Sequence, residues 1–105
     1  MKKRGKKNGV RRKSIYEKVL ANTKPEFYFR LINGQKIKNL FGLVYALDRV
    51  SDEIFYHHVN EQRNDFSNWV RDIFKQKKLA EDISKVRSKL ETQVVLLKFI
   101  VKKSK

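Results

Sequence analysis

The sequence predicts a mainly α fold: a compact domain of four to five helices, with one small β-hairpin near residues 27–37 and a long C-terminal helix. Three observations predict it. Apolar residues recur at three- and four-residue steps over most of residues 39–103, the spacing of a helix face. One Asn-Gly pair, Asn33-Gly34, separates two short runs, and this is the strongest two-residue hairpin signal because both residues tolerate positive φ. The length of 105 residues, 40% of them apolar and 11% aromatic, suits one packed domain and is too rich for a wholly disordered chain.

Each element has its own reason. Residues 2–13 (KKRGKKNGVRRK) hold eight cations, no anion and one apolar residue. Such a segment repels itself and buries nothing, so residues 1–13 are expected to be a disordered basic arm, and 14–105 one mostly helical domain with a basic C-terminal end. A short helix is expected from Ser14 to Asn22, with Ser14 and Glu17 at capping-box spacing, before Thr23-Lys24-Pro25 breaks it. Phe27, Phe29 and Leu31 alternate with Tyr28, Arg30 and Ile32 ahead of the turn, and Gln35-Lys36-Ile37 returns. From Asn39, a cap, Leu40, Leu43, Val44, Leu47 and Val50 form one helical face. Ser51 caps a second helix carrying Ile54, Phe55 and Val59. After the polar connection Asn60–Asn64, either Asn64 or Asp65 caps a third, with Phe66, Trp69, Val70 and Ile73 inward and its end near Lys75-Gln76-Lys77. One long helix is then expected from Lys78 to about Lys103, on the stripe Leu79, Ile83, Val86, Leu90, Val94, Leu97 and Val101.

The run Asp52-Glu53-x-Phe55-x-His57-His58-Val59, followed by Asn64-Asp65-Phe66-Ser67-Asn68-Trp69-Val70, carries a resemblance. Together with Phe29-x-Leu31-x-Asn33-Gly34 upstream and Leu79-Ala80 downstream, it resembles a small, uncharacterised domain family of prokaryotes, mostly archaeal, over residues ~27–85. The resemblance implies a real domain with a set fold and supplies no activity.

Charge carries the functional expectation. The chain has 26 Lys+Arg against 11 Asp+Glu, a formal +15. Residues 1–24 contribute +9 and residues 98–105 contribute +4, leaving only +2 for residues 25–97. The domain is nearly neutral and the polybasic character lies at its two ends. The candidate nucleic-acid-binding residues are therefore Lys2, Lys3, Arg4, Lys6, Lys7, Arg11, Arg12 and Lys13 in the arm, with Lys98, Lys102 and Lys103 at the other end. Solubility alone does not call for eight cations in twelve residues. A phosphate backbone does reward them, because each neutralised phosphate releases condensed counterions.

Other chemistry finds little purchase. With no Cys there is no disulfide, thiolate zinc site or cysteine nucleophile. His57 and His58 are adjacent, so on a helix they point ~100° apart and cannot share one ion. Glu61 could complete only a two-ligand set with either of them, short of the three or four that zinc needs. Asp65 is expected as a helix cap and Asp72 as an ion-pair partner of Arg71 or Lys75. Gly34 belongs to a turn and Gly42 is a lone helical glycine, so there is no phosphate-cradling loop. Phe27, Phe29, Phe41, Phe55, Phe66, Trp69 and Phe74 stand at core spacings, while Tyr28, Tyr45 and Tyr56 alternate away from them. No catalytic residue, metal or cofactor is expected.

These readings converge on a non-enzymatic, cytoplasmic protein that binds DNA or RNA through backbone contacts, largely without sequence preference, in association with the nucleoid or the ribosome. The alternative is a protein-interaction module that forms a homodimer through the long C-terminal helix, which applies if the helix leaves apolar residues in water. A membrane is not an expected partner. The longest nearly apolar run, Val94 to Val101, spans 8 residues and is interrupted by Lys98, against the ~20 a spanning helix needs. Val10-Arg11-Arg12-Lys13 stands where a leader peptide needs an apolar stretch.

Overall fold

In the computed structural model, which describes residues 19–103, five helices follow a small hairpin. The expected arm and most of the expected Ser14–Asn22 helix lie outside the described residues; Val19 and Leu20 are helical. A single 3₁₀ turn, Pro25–Phe27, leads into strands β1 (Phe29–Arg30) and β2 (Lys36–Ile37). Helices α1 (Leu40–Arg49), α2 (Asp52–His58), α3 (Asp65–Ile73), α4 (Lys77–Ser84) and α5 (Lys89–Lys103) follow.

The caps are those the sequence offers. Asn39 Oδ1 accepts from the Gly42 N–H at 2.6 Å, Ser51 Oγ from Ile54 N–H at 3.2 Å, and Asn64 Oδ1 from Ser67 N–H at 3.0 Å, satisfying donors that each first helical turn leaves open. The third cap settles a choice: Asn64 caps α3, and Asp65 is free for another partner. Gly42 has a local reason, since a Cβ there would come within 3.2 Å of the capping Asn39 Oδ1.

The hairpin turns differently from the two-residue expectation. Phe29 pairs with Ile37 and Arg30 with Lys36 in an antiparallel ladder. Leu31 N–H then donates to Gln35 O at 2.8 Å and Gly34 N–H to Leu31 O at 2.8 Å, so the loop is Ile32-Asn33-Gly34. Only Gly34 takes positive φ, at 94°. This is a three-residue loop with glycine in the left-handed position. Asn33 Oδ1 holds it by accepting from Gln35 N–H at 3.0 Å.

Helix α3 lies against α4, and α5 closes the domain against α1 and α4. Phe55, Phe66, Leu40, Leu43, Leu47, Ile83 and Leu96 are fully buried at the centre. Phe29 stacks on Phe66, with centroids 4.9 Å apart, and meets Trp69 edge-on at 5.7 Å. Trp69 Nε1 donates to Phe27 O at 2.7 Å, tying α3 to the 3₁₀ turn. Ser67 is buried and its hydroxyl donates to Ala80 O at 2.7 Å, which fixes α3 on α4. Two aromatics expected in the core are outside it: Phe27 and Phe41 are 43% and 41% exposed. Phe27 belongs to the 3₁₀ turn and contributes its carbonyl rather than its ring, so the strand alternation begins only at Phe29.

The larger correction concerns the C-terminal segment. The helix expected from Lys78 to about Lys103 is two helices, separated at residues 85–88. Ser88 starts the second: its Oγ accepts from Glu91 N–H at 3.1 Å and its hydroxyl meets Glu91 Oε1 at 3.0 Å. The break resets the helical phase. Leu79 and Ile83 of the expected stripe are buried on α4, but on α5 the buried residues are Thr92, Leu96 and Ile100. Leu90, Val94, Leu97 and Val101 stand 69%, 42%, 45% and 52% exposed. Gln93 Nε2 donates to Val44 O at 3.2 Å and Lys89 Nζ to Val50 O at 2.7 Å, which hold this second face against α1.

Candidate functional site

Two places carry organised chemistry. The first is α5. Its 15 residues extend ~22 Å at 1.5 Å per residue. Lys98, Lys102 and Lys103 all lie on it, exposed, and among the described residues none of the three has an ion-pair partner. Lys98 and Lys102 are four apart and share a face, whereas Lys103 Nζ sits over the Phe99 ring, 5.5 Å from its centroid. The predicted arm residues Lys2, Lys3, Arg4, Lys6, Lys7, Arg11, Arg12 and Lys13 lie outside the described residues.

Between α4 and α5 runs an open groove of about 920 Å³. Its floor includes Leu79, Val94 and Leu97, and its rim includes Lys78, Lys98 and Lys102. On the α4 side Lys78 Nζ donates to Asp82 Oδ1 at 3.1 Å. That hydrogen bond, with the charge of Asp82 behind it, raises the Lys78 pKa above the ordinary lysine value. Asp82 is thereby engaged within the wall, and the other lining charges, Lys98, Lys102 and Lys103, are cationic. An apolar floor with a cationic rim is what the geometry offers here.

The second place is His58. It is buried, and its Nε2 accepts from the Ile32 N–H at 3.1 Å while Nδ1 faces Asp65 Oδ2 at 3.0 Å. A backbone N–H can only donate, so the ring proton belongs on Nδ1 and is donated to Asp65. Arg63 Nε holds the other Asp65 oxygen at 3.2 Å, and Arg63 Nη2 donates to His57 O at 2.8 Å. The ring is enclosed by Phe29 at 5.1 Å and Phe66 at 5.5 Å. Both nitrogens are used in joining the hairpin to α2 and α3, which leaves no lone pair for a metal or substrate. His57 is exposed, with its ring edge-on to His58. Among the described residues no group of three or more His, Cys, Asp or Glu is placed to hold a metal ion.

The remaining acidic candidate is also accounted for. Asp72 receives Arg71 Nε at 2.9 Å, and this hydrogen bond above all holds its pKa below the ordinary carboxylate value. Tyr45 and Tyr56 are exposed, as the alternation predicted, and Tyr28 is half-buried with Lys38 Nζ 5.7 Å from its ring centroid. What the sequence reading missed is the break before α5, which turns Leu90, Val94 and Leu97 outward, and the place of Lys78 beside them. The signal was available in Ser88-Lys89-Leu90-Glu91, a capping pattern in the middle of the expected helix.

The architecture is that of a small mainly-α domain pinned by an internal His–Asp pair and ending in a basic helix. Residues 22–99 match a family of unknown function, DUF5752, and the chain belongs to it. The match takes in the hairpin, the His58–Asp65 pair and α5 as far as Phe99, so the basic arm, Lys102 and Lys103 lie beyond it. Comparison with curated proteins and with solved structures finds no match.

Proposed function

We propose that this protein is a non-enzymatic, cytoplasmic nucleic-acid-binding protein that grips the phosphate backbone of DNA or RNA with its basic arm and the end of α5. The observation that carries this reading is the separation of charge. Eight cations without an anion occupy residues 2–13, while residues 25–97 sum to only +2. Exposed Lys98, Lys102 and Lys103 support it, since their ammonium groups are available to phosphate. Recognition of this kind reads charge density and is largely indifferent to base sequence, as suits a nucleoid- or ribosome-associated protein.

The test is a salt titration with duplex DNA, structured RNA and single strands as separate ligands. With six to eight arm cations on phosphates, affinity falls by roughly 10³–10⁵ between 50 and 200 mM salt. Replacing the eight arm cations with Gln removes most of that slope. Affinity and slope unchanged by the replacement overturn the proposal.

A further inference from the structure

We infer that the outward face of α5 is the contact surface of a homodimer, in which two copies of α5 pack antiparallel. This inference rests on α5 alone and does not depend on the nucleic-acid reading.

The face is built as a helix-pairing seam. Leu90, Val94 and Leu97 follow one another at steps of four and three, and Val101 continues the spacing. That is the alternation with which one helix sets its side chains between those of another. The same helix buries Thr92, Leu96 and Ile100 on its other side, so the outward residues are not needed to close the domain. Leu90 is 69% exposed, and Val94 and Leu97 line the groove together with Leu79. A contiguous apolar strip of this kind marks an association surface, unlike a scattered exposed leucine.

Charge chooses the occupant. The chain's own N-terminal segment is a poor candidate. Residues 1–18 carry nine cations and one anion, with few apolar side chains, and would meet Lys98 and Lys102 at the groove rim. A second α5 brings its own Leu90, Val94 and Leu97. Charge also chooses the direction. At the start of α5, Lys89 is engaged within its own chain by Asp52 at 3.3 Å and Val50 O at 2.7 Å, which leaves Glu91 as the outward charge there, while Lys98, Lys102 and Lys103 stand towards the end. Parallel packing sets each cation beside its copy. Antiparallel packing, with Val94 level with Leu97 of the second copy, brings Glu91 of each copy alongside the other's Lys98 and Lys102. Two attractive clusters replace one repulsive one, and opposite-charge flanks of a seam set orientation in this way.

The inference has a geometric consequence. A two-fold axis crossing α5 near its middle sends the C-terminal ends of the two helices, each with its Lys103, in opposite directions.

Sedimentation equilibrium of the full chain, without nucleic acid and over a concentration series, tests the inference. A monomer–dimer equilibrium is expected. Leu97→Glu raises the dissociation constant by about a hundredfold or more, because each dimer places two carboxylates in an apolar seam. Leu97 is exposed in the single chain, so the circular dichroism spectrum of the variant stays unchanged. Glu91→Lys and Lys98→Glu each raise the dissociation constant about tenfold, by turning attractive pairs into repulsive ones, and the double variant restores it. Loss of the Ser88–Glu91 contact alone cannot produce that restoration. A chain monomeric at every concentration overturns the inference, as does a dimer indifferent to Leu97→Glu. Single charge reversals without effect, or a Lys98→Glu that tightens the dimer by relieving the like-charge repulsion of a parallel pair, overturn the antiparallel arrangement.

Discussion

Replacing His58 with Ala isolates the interaction on which the hairpin depends. Three losses are involved. The imidazole vacates a space lined by Phe29 and Phe66, whose ring centroids are 5.1 and 5.5 Å from its own, and a buried ring cut to a methyl costs about 2 kcal/mol at the low end of such truncations. The Ile32 N–H loses its acceptor at 3.1 Å, for about 1 kcal/mol. Asp65 loses a donor at 3.0 Å but keeps Arg63 at 3.2 Å, so this third loss is about 1 kcal/mol or less. The expected destabilisation is about 3–4 kcal/mol, a large part of the ~5–15 kcal/mol that holds a domain together. His58→Phe restores the packing and not the hydrogen bonds, and is expected to cost about 1–2 kcal/mol. Urea denaturation gives both values, and a cycle with Asp65→Asn is expected to show a coupling of about 1 kcal/mol between the two side chains. If His58→Ala costs less than about 1 kcal/mol, or His58→Phe costs nothing, the hydrogen bonds do not hold the hairpin and His58 is better explained by a role outside the fold.

Two backbone predictions follow from the same structure. Lys75 lies between α3 and α4 with φ at 59°, so Lys75→Gly is expected to stabilise the domain by about 0.5–1 kcal/mol, seen as a higher urea midpoint at unchanged slope. Gly34 has φ at 94° with nothing within 4 Å of an added Cβ, so Gly34→Ala meets no clash and is expected to cost about 1 kcal/mol for conformation alone in the same assay.

Much of the fold was legible because its local signals agree with its packing. Asn39, Ser51 and Asn64 stand one to three residues before the first apolar residue of a helical period, and each caps the helix that follows. The hairpin was legible in position but not in loop length. Asn33-Gly34 suits a two-residue turn, yet Leu31 and Ile37 must both face inward, and both are 3% exposed. The register that buries them places Leu31 opposite Gln35 and leaves three residues in the loop. Here tertiary burial overrode a turn preference. His57 and His58 were legible as a poor metal pair, but that His58 is buried and joins Ile32 to Asp65, at separations of 26 and 7 residues, is something no local pattern shows.

The candidate site was harder to read because α5 is apolar on two sides. Over residues 89–103 both Leu90-Val94-Leu97-Val101 and Thr92-Leu96-Ile100 satisfy helical spacing. Periodicity therefore says that this segment is a helix and cannot say which side is inside. The expected stripe followed the phase of Leu79 and Ile83 across residues 85–88, and a continuous helix would have buried that side throughout. Ser88 and Glu91 end that continuity, and a new helix is free to choose its buried side by contact with α1. It does so through Gln93 and Lys89, whose polar groups reach the carbonyls of Val44 and Val50. Had the other side turned inward, these two groups would have had to find water or another partner. The exposed leucines and valines are thus the consequence of a phase reset whose polar anchors hold Thr92, Leu96 and Ile100 in the core. A helix that closes the domain with one side and still carries Leu90, Val94 and Leu97 on the other has apolar surface beyond what folding uses, and association with a second copy is the use that its charges favour.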